Sequence, residues 1–249
     1  MSRHTQKDLP STMTTCETAR SSQEERQIHF QTIRYIFIAG EKLSMTALTT
    51  ATAAHLYHRV FRECKCSDFD PYLIAATCIY IGSKVEEDHK KLRDVINVCY
   101  RTLHSDKPPL DIGSTYWSLR ESVVQCELFV MRLLCFKVVL THPHKYLLHY
   151  LMSLNNWLHP DTVTEVPYAK TAWAILKDSY HGNICLHYPA NWIAVAVLYM
   201  ALRCHDISVP YNEEAEYCWW EAFVEDLKLA DIHKIINEII DVYELENTI

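Results

Sequence analysis

Apolar residues recur three and four positions apart through most of the chain from His29 onward, which is the spacing of one face of an α-helix. The stretch 91–104 is the clearest, because six of its apolar residues make one face: Leu92, Val95, Ile96, Cys99, Tyr100 and Leu103. Helices are predicted at 28–40, 45–64, 71–87, 91–104 and 114–135, and again at 143–157, 166–180, 189–204, 213–223 and 229–243. The pattern therefore predicts an all-α fold in which five helices are followed by five more.

Two changes in the pattern divide the chain into units. Residues 1–26 are polar and poor in aromatic side chains, which is typical of a flexible tail. The segment "KVVLTHP" then interrupts the helical periodicity near residue 140. The expected units are 27–139 and 140–243, with a short C-terminal tail at 244–249.

The two predicted units resemble each other at their third helix. "IAATCIYIGSK" (74–84) and "IAVAVLYMALR" (193–203) both start with Ile-Ala, carry Tyr at the same offset and end on a basic residue. Both helices also begin at a proline, Pro71 and Pro189. A repeat of roughly 100–120 residues is too long for a solenoid unit and indicates a duplicated five-helix domain.

Composition excludes several classes of function. Of the 249 residues, 49% are hydrophobic, as in a packed globular protein, and the net charge of -7 favours neither nucleic acid nor an anionic membrane surface. Only four glycines occur, and they are too scattered to form a phosphate-binding loop. A nucleotide-binding enzyme of a common kind is therefore not expected.

Cysteine usage and hydropathy indicate the cellular compartment. The ten cysteines fall mostly in apolar helical stretches and include no C-x-x-C pair, which is typical of reduced thiols in an intracellular protein. The start of the chain lacks an apolar signal segment, and the longest apolar run, 193–202, is too short to span a bilayer. We expect a soluble protein of the nucleus or the cytoplasm.

Two charged residues interrupt apolar helix faces. Lys84 lies at the edge of the apolar face of helix 71–87, and the residues three and four positions from Glu127 are all apolar. A buried carboxylate needs a partner, and Lys84 is the obvious candidate. The pair could serve only the stability of the domain, or Lys84 could extend into solvent, or the two could bind another protein.

The arrangement as a whole resembles the cyclin family. Five helices occur twice, "KVEE" closes the third and "CELFVMRLLCFKV" forms the fifth, while "YHRVF" (57–61) is similar to the transcription-type branch. The resemblance implies that Lys84 and Glu127 hydrogen-bond to a cyclin-dependent kinase. It also implies an apolar bed for the regulatory helix of that kinase, formed by Ile81, Val85, Met131, Phe136 and Val138.

The resemblance implies a regulatory role and no catalysis by this chain. The first cyclin box, 27–139, would bind the kinase, and the nucleotide and metal would bind to the kinase, so no cofactor is expected here. Longer strings such as "HPHKYLLHYL" and "TAWAILKDSYHG" are similar to branch members that pair with cyclin-dependent kinase ten, which is the expected partner in a heterodimer. Nucleic acid, membrane and small-molecule substrates are not expected as partners.

One feature of other cyclins is missing from the sequence. Cyclins that recruit substrates through an Arg-x-Leu motif carry a methionine and a tryptophan on their first helix. This chain has Ile33 and Gly40 at the corresponding positions. A substrate-docking groove of that kind is therefore not expected.

Histidines offer a first alternative function. His55 and His58, one helical turn apart, and His142 and His144 could approach a metal ion, but no third ligand is evident. We therefore interpret His55 and His58 as residues that pack in the helix or bond to backbone carbonyl groups.

Two further alternatives concern binding. A cyclin-like transcription factor that contacts DNA would need a basic surface, which the negative net charge disfavours. An all-helical scaffold could use Trp219, Trp220 and Phe223 as an exposed anchor, although three large aromatic residues this close together usually pack internally.

Overall fold

A computed structural model describes residues 12–210 and 217–248, and side chains within these ranges from residue 23 onward. These residues form eleven α-helices, two short 3-10 helices and no strand. The α-helices are α1 (Thr12–Lys42), α2 (Ala47–Glu63), α3 (Pro71–Val85), α4 (Leu92–Leu103), α5 (Ser114–Leu133), α6 (Pro143–Trp157), α7 (Pro160–Glu165), α8 (Tyr168–Ser179), α9 (Ile184–His187), α10 (Ala190–Cys204) and α11 (Leu229–Glu246). The 3-10 helices are Cys66–Asp68 and Trp219–Ala222.

Helix α3 is the centre of the first repeat. The Asp70 side chain accepts a hydrogen bond from the Tyr72 backbone N–H at 3.0 Å, and Pro71 occupies the first turn. Most of the helix is buried, and it packs against α1, α2, α4 and α5. Gly82 permits the close approach of α2, because a Cβ atom there would lie 3.1 Å from the Thr49 carbonyl oxygen.

Helix α10 has the same place in the second repeat. It follows Pro189, is buried along most of its length, and packs against α6, α8 and α11. One continuous apolar core joins the two repeats, from Ile33 on α1 to Ile239 on α11. The predicted all-α fold is thereby confirmed, and the helices are consistent with the predicted repeat of a five-helix unit.

A chain of hydrogen bonds connects the two repeats. The Tyr180 hydroxyl donates to His142 Nδ1 at 2.9 Å, His142 Nε2 donates to the Thr52 hydroxyl at 2.8 Å, and that hydroxyl donates to the Glu86 carboxylate at 2.6 Å. Beside it, His58 Nε2 donates to the Tyr180 carbonyl oxygen at 2.8 Å. These bonds satisfy polar groups that would otherwise be buried without partners between α2 and the second repeat.

The prediction for 213–223 is wrong over the residues that the structure describes. In place of a long helix there is the 3-10 helix Trp219–Ala222, and 211–216 lie outside the described residues. The Trp220 indole N–H donates to the Leu227 carbonyl oxygen at 3.1 Å, which fixes a compact turn between 219 and 227. The fourth element of the second repeat is therefore much shorter than that of the first.

The first helix begins earlier than predicted. Helix α1 starts at Thr12, whereas the prediction placed its start near residue 28, and 1–11 lie outside the described residues. Periodicity finds a helix through its apolar face, and 12–26 have no such face. The division into a tail, two boxes at 27–139 and 140–243, and a second tail stays a prediction.

The cysteines and the hydropathy of the helices can be compared with the expectations from composition. Nine cysteines are free there, but only Cys78 and Cys99 are buried, while Cys135 and Cys204 are exposed. Within the same ranges, none of the helices has both the length and the apolar composition that crossing a bilayer requires.

Candidate functional site

Lys84 and Glu127 meet at the surface of the first repeat, as the sequence predicted. Lys84 lies in the last turn of α3 and donates from Nζ to Glu127 Oε1, on α5, at 2.6 Å. The two side chains retain 44% and 24% of their exposure. An ion pair this exposed adds about 0–1 kcal/mol to stability, so the fold gains little from it.

Tyr80 supports Lys84 from one turn earlier on α3. Lys84 Nζ lies 3.9 Å from the centre of the Tyr80 ring, within the range of a cation–π contact. Burial lowers the pKa of Lys84, but the hydrogen bonds to Glu127 and Tyr80 outweigh it, and the net effect is a raised pKa. The ammonium group is therefore charged and held in place. Tyr80 was not among the predicted site residues, although its i, i+4 spacing to Lys84 was a usable signal.

The pair retains unused hydrogen-bonding capacity. Among the described residues, Glu127 accepts a hydrogen bond from Lys84 alone, and a carboxylate can accept several. The Lys84 ammonium has three N–H donors and uses one of them on Glu127. Both groups can therefore bond to a second molecule without breaking the contact between them.

The predicted apolar bed is only partly at the surface. Val85, Met131 and Val138 are half-buried, and Phe136 is 62% exposed. Ile81, by contrast, is 2% exposed and belongs to the buried core. The prediction that Ile81 offers a contact surface is corrected: it supports the surface from beneath.

A tight turn after α5 projects Phe136 outward. Cys135 and Phe136 have φ angles of 51° and 58°, in the left-handed region, and the Phe136 N–H donates to the Met131 carbonyl oxygen at 2.8 Å. Left-handed geometry costs a residue other than glycine about 1–2 kcal/mol. Arg59 on α2 holds the turn by donating to the Lys137 carbonyl oxygen. The fold thus retains a strained turn that places an aromatic ring at the surface.

Helix α5 carries an exposed apolar strip whose residues were not among those predicted for the site. Val124 and Leu128 are 40% and 48% exposed, and they lie on the same side of the helix as the site, Val124 three positions before Glu127 and Leu128 three positions before Met131. Trp117, two turns before Val124, is 55% exposed. Apolar periodicity identified these residues as helical, but it does not distinguish a core-facing residue from an exposed one. The strip is continuous with the Lys84–Glu127 pair and extends the apolar surface.

The sequence matches the model of a known protein family. The family model described as "Cyclin, N-terminal domain" matches residues 1–139, more than half of the chain. The chain belongs to the cyclin family. Helices α1–α5 all lie within the part of the chain that the family model matches.

The relatives of this cyclin are transcription-type cyclins. It is 29% identical to cyclin-K of Danio rerio over 212 residues, which is 84% of this chain and 48% of the relative. It is 26% identical to cyclin pch1 of Schizosaccharomyces pombe over 215 residues, which is 86% of this chain and 60% of the relative. The chain thus spans about half the length of these relatives.

A solved structure supports the fold independently. The cyclin superposes with a TM-score of 0.68 on a chain of the yeast RNA polymerase II CTD kinase CTDK-1 complex, at 18% identity. The match covers 90% of this chain and 67% of the other. At this identity the likeness concerns the fold alone.

Two positions linked to substrate docking in other cyclins are buried here. Ile33 has no exposed surface. A side chain at Gly40 would place its Cβ atom 2.2 Å from Thr50 Cγ2. Neither position presents a side chain to solvent.

The histidines take structural roles in the junction between the repeats. His58 bonds to a backbone carbonyl group, as predicted, and His55 lies with its ring centre 6.3 Å from that of His142. Burial lowers the pKa of His58 to about 4 and that of His55 to about 3, so both are neutral at pH 7. Across the described ranges, no three His, Cys, Asp or Glu side chains are placed to share a metal ion.

The aromatic residues after 217 are packed internally. Trp220 is 8% exposed, and Phe223 stacks on Tyr150 with ring centres 4.3 Å apart. Trp219 stacks on Tyr199 of α10 at 6.4 Å. The alternative in which these aromatics form an exposed anchor is therefore wrong.

Proposed function

We propose that this cyclin is the activating, non-catalytic subunit of a cyclin-dependent serine/threonine kinase and binds it through the α3–α5 face of the first repeat. The observation that carries the proposal is the Lys84–Glu127 pair. It adds little to stability, retains free donors and acceptors, and lies beside an exposed apolar surface. Such a pair serves a partner better than it serves the domain.

The proposed mechanism is a shift of the kinase between two states. A kinase transfers phosphate only when the glutamate on its mobile helix pairs with its strand lysine. The apolar residues Val85, Met131, Phe136 and Val138 would receive that helix in its inward position, and Lys84 and Glu127 would bond to its backbone. Binding one state only favours that state by the difference in affinity.

This cyclin contributes orientation, and the kinase contributes chemistry. ATP and its metal would bind to the kinase, and the phosphate would pass from ATP to serine or threonine. The cyclin needs no cofactor and no catalytic residue for this role. Charge-assisted bonds from Lys84 and Glu127 would fix the rotation of the kinase helix as well as its position.

The finer assignment rests on longer sequence strings. "DPYLIA", "QCEL" and "TAWAILKDSYHG" are similar to cyclin-Q, whose kinase is cyclin-dependent kinase ten. We therefore propose that kinase as the partner, with a role in transcription or cell-cycle-linked signalling and a nuclear location. The first box, 27–139, would bind it, and the second box, 140–243, would brace the first.

Co-purification with a panel of cyclin-dependent kinases tests the proposal. Truncating one member of a desolvated charge pair at an interface costs about 2–5 kcal/mol, so Glu127→Ala should weaken capture by roughly 30-fold or more. Arg203→Ala, which removes the exposed basic residue at the corresponding place in the second repeat, is the matched control and should leave capture unchanged. A folded Glu127→Ala variant that binds as tightly as wild type would refute the proposed face.

A further inference from the structure

The end of α3 is tied to α2 by the residue that follows it. Lys84 and Val85 are the last two residues of α3. Glu86 caps the helix, and its backbone N–H donates to the Gly82 carbonyl oxygen at 3.0 Å. The Glu86 carboxylate accepts a hydrogen bond from the Thr52 hydroxyl at 2.6 Å. The last turn of α3, which carries Lys84, is therefore fixed against α2 as well as by its own helical bonds.

The bond between Thr52 and Glu86 is one link of the chain that reaches the second repeat. A carboxylate can only accept, so the Thr52 hydroxyl donates to Glu86 and in turn accepts from His142 Nε2 at 2.8 Å. Burial lowers the pKa of His142, so the ring is neutral at pH 7. Nδ1 therefore carries no proton and accepts from the Tyr180 hydroxyl at 2.9 Å. Each group in the chain has one orientation, from the end of α8 to the end of α3.

The chain is shielded from solvent where it crosses between the repeats. Thr52 has no exposed surface, and the side chain of His142 is 5% exposed, while that of Glu86 retains 22%. A hydrogen bond to a charged group is stronger in such surroundings than in water. The position of Glu86 is therefore set by partners inside the protein.

A second carboxylate holds the same segment from the first repeat alone. Glu87 has a φ angle of 55°, in the left-handed region that disfavours residues other than glycine. Asp88 then accepts hydrogen bonds from the Thr46 backbone N–H at 2.9 Å and from the Thr49 hydroxyl at 3.2 Å, both at the start of α2. Of these two anchors, Glu86 is the one that leads to the second repeat within the described ranges.

We propose that Glu86 is a positioning residue for kinase binding. The chain through Thr52 and His142 lets the second repeat fix the last turn of α3, and that turn holds Lys84 in the orientation that the kinase requires. Fixing a binding group beforehand raises affinity, because less freedom is lost when the partner binds. The inference rests on the proposed kinase-binding function and gives the second repeat a defined part in it.

Thr52→Val tests the proposal, because it removes the central hydroxyl of the chain at a position with no surface for a kinase to contact. Calorimetric titration with the captured kinase should show an affinity about three- to ten-fold below that of wild type. Thr52→Ser keeps the hydroxyl and should bind within about two-fold of wild type. Thr50→Val is the matched control on the same helix, because the Thr50 hydroxyl bonds to the carbonyl oxygens of residues 46 and 47, and it should bind as wild type does.

A double-mutant cycle measures whether Thr52 acts through Lys84. In a Lys84→Met background, Thr52→Val should weaken binding further by no more than about two-fold, because the side chain that the turn orients has been removed. Amide hydrogen exchange gives a readout without the kinase. In Thr52→Val the Glu86 amide should exchange at least about five-fold faster, and the amide of Ile79, in the middle of α3, should exchange as in wild type.

Four results would overturn the proposal. Capture of no kinase by wild type would refute the proposed function, and this inference with it. Unchanged affinity in Thr52→Val, alongside weakened binding by Glu127→Ala, would keep the kinase face and exclude the positioning role. An equal loss of affinity in Thr52→Ser, or an undiminished loss in the Lys84→Met background, would also exclude it. Unchanged exchange of the Glu86 amide would show that the chain does not fix the end of α3.

Discussion

The central helices of the two repeats end in similar sequences but in different surroundings. On α3, Tyr80 is half-buried and its ring lies under Lys84 at 3.9 Å. On α10, the corresponding Tyr199 is also half-buried, but its ring packs on Trp219 at 6.4 Å and against the edge of Trp220 at 5.7 Å. The turn at 219–222 thus closes in the second repeat the face that stays open in the first.

The terminal basic residues differ in the same way. Lys84 is paired with Glu127 at 2.6 Å, whereas Arg203 is exposed and forms no ion pair within the described residues. A duplicated fold therefore need not contain a duplicated site. What distinguishes the repeats, over the residues that the structure describes, is the segment packed on the end of the central helix: in the first repeat that end carries an accessible ion pair, and in the second it carries an unpaired Arg203.

Acidification should lower the stability of the protein by weakening the junction that joins the repeats. Burial lowers the pKa values of His55, His58 and His144 to about 3, 4 and 4, below the value of about 6.5 in an unfolded chain. Their contribution is fully present above pH 6.5 and is lost as the pH falls toward 4. We expect a loss of roughly 1–2 kcal/mol per histidine by pH 5.

Urea unfolding at pH 7.5 and pH 5 measures this effect. Lys84→Met should show the same pH dependence as wild type, because Lys84 lies outside the junction. Equal stability at the two pH values would contradict the assignment of neutral, buried histidines.

Replacing Trp220 should lower the free energy of unfolding far more than replacing the exposed Trp117. Trp220 is 8% exposed and hydrogen-bonded through its indole N–H, so Trp220→Ala should lower the free energy of unfolding by about 3–5 kcal/mol. Trp117 on α5 is 55% exposed, and Trp117→Ala should change it by no more than about 0.5 kcal/mol. Chemical denaturation of both variants measures the difference. Similar losses would show that the faces are not closed and open as described.

The two tyrosines should have separable roles. Tyr80→Leu removes a cation–π contact of about 0.5–1 kcal/mol and should weaken kinase binding about two- to five-fold, with little effect on unfolding. Tyr199→Leu should lower stability and leave kinase affinity unchanged. Calorimetric titration with the captured kinase, together with thermal unfolding, resolves the two effects. Weakened kinase binding in Tyr199→Leu, with Tyr80→Leu unaffected, would reverse the proposed roles.

The sequence sufficed for much of the fold because local signals and tertiary packing agree. Asp70 and Pro71 mark the start of α3, and the apolar residues that follow them in the sequence form its buried face. The stretch 213–223 misled for the opposite reason. Three large aromatics there mimic an amphipathic helix, but the bond from Trp220 to Leu227 and the packing on α10 produce a short turn.

The candidate site was predictable where a charged residue lies on or beside an apolar helix face. Lys84 and Glu127 could be found because each breaks an apolar face. Leu128 and Ile81 could not be assigned correctly, since both are apolar and periodic although one is 48% and the other 2% exposed. Exposure depends on which helices cover a face, and that is a property of the tertiary structure.

Charge reversal at the pair tests the central claim most directly. Wild type and the double variant Lys84→Glu, Glu127→Lys would be compared for capture of cyclin-dependent kinases and for activity of the captured kinase on a serine/threonine peptide. We predict that wild type captures and activates one kinase, and that the folded double variant captures none. Capture and activation by both forms would place the kinase elsewhere on the surface. Capture by neither would contradict kinase activation itself and favour an all-helical scaffold.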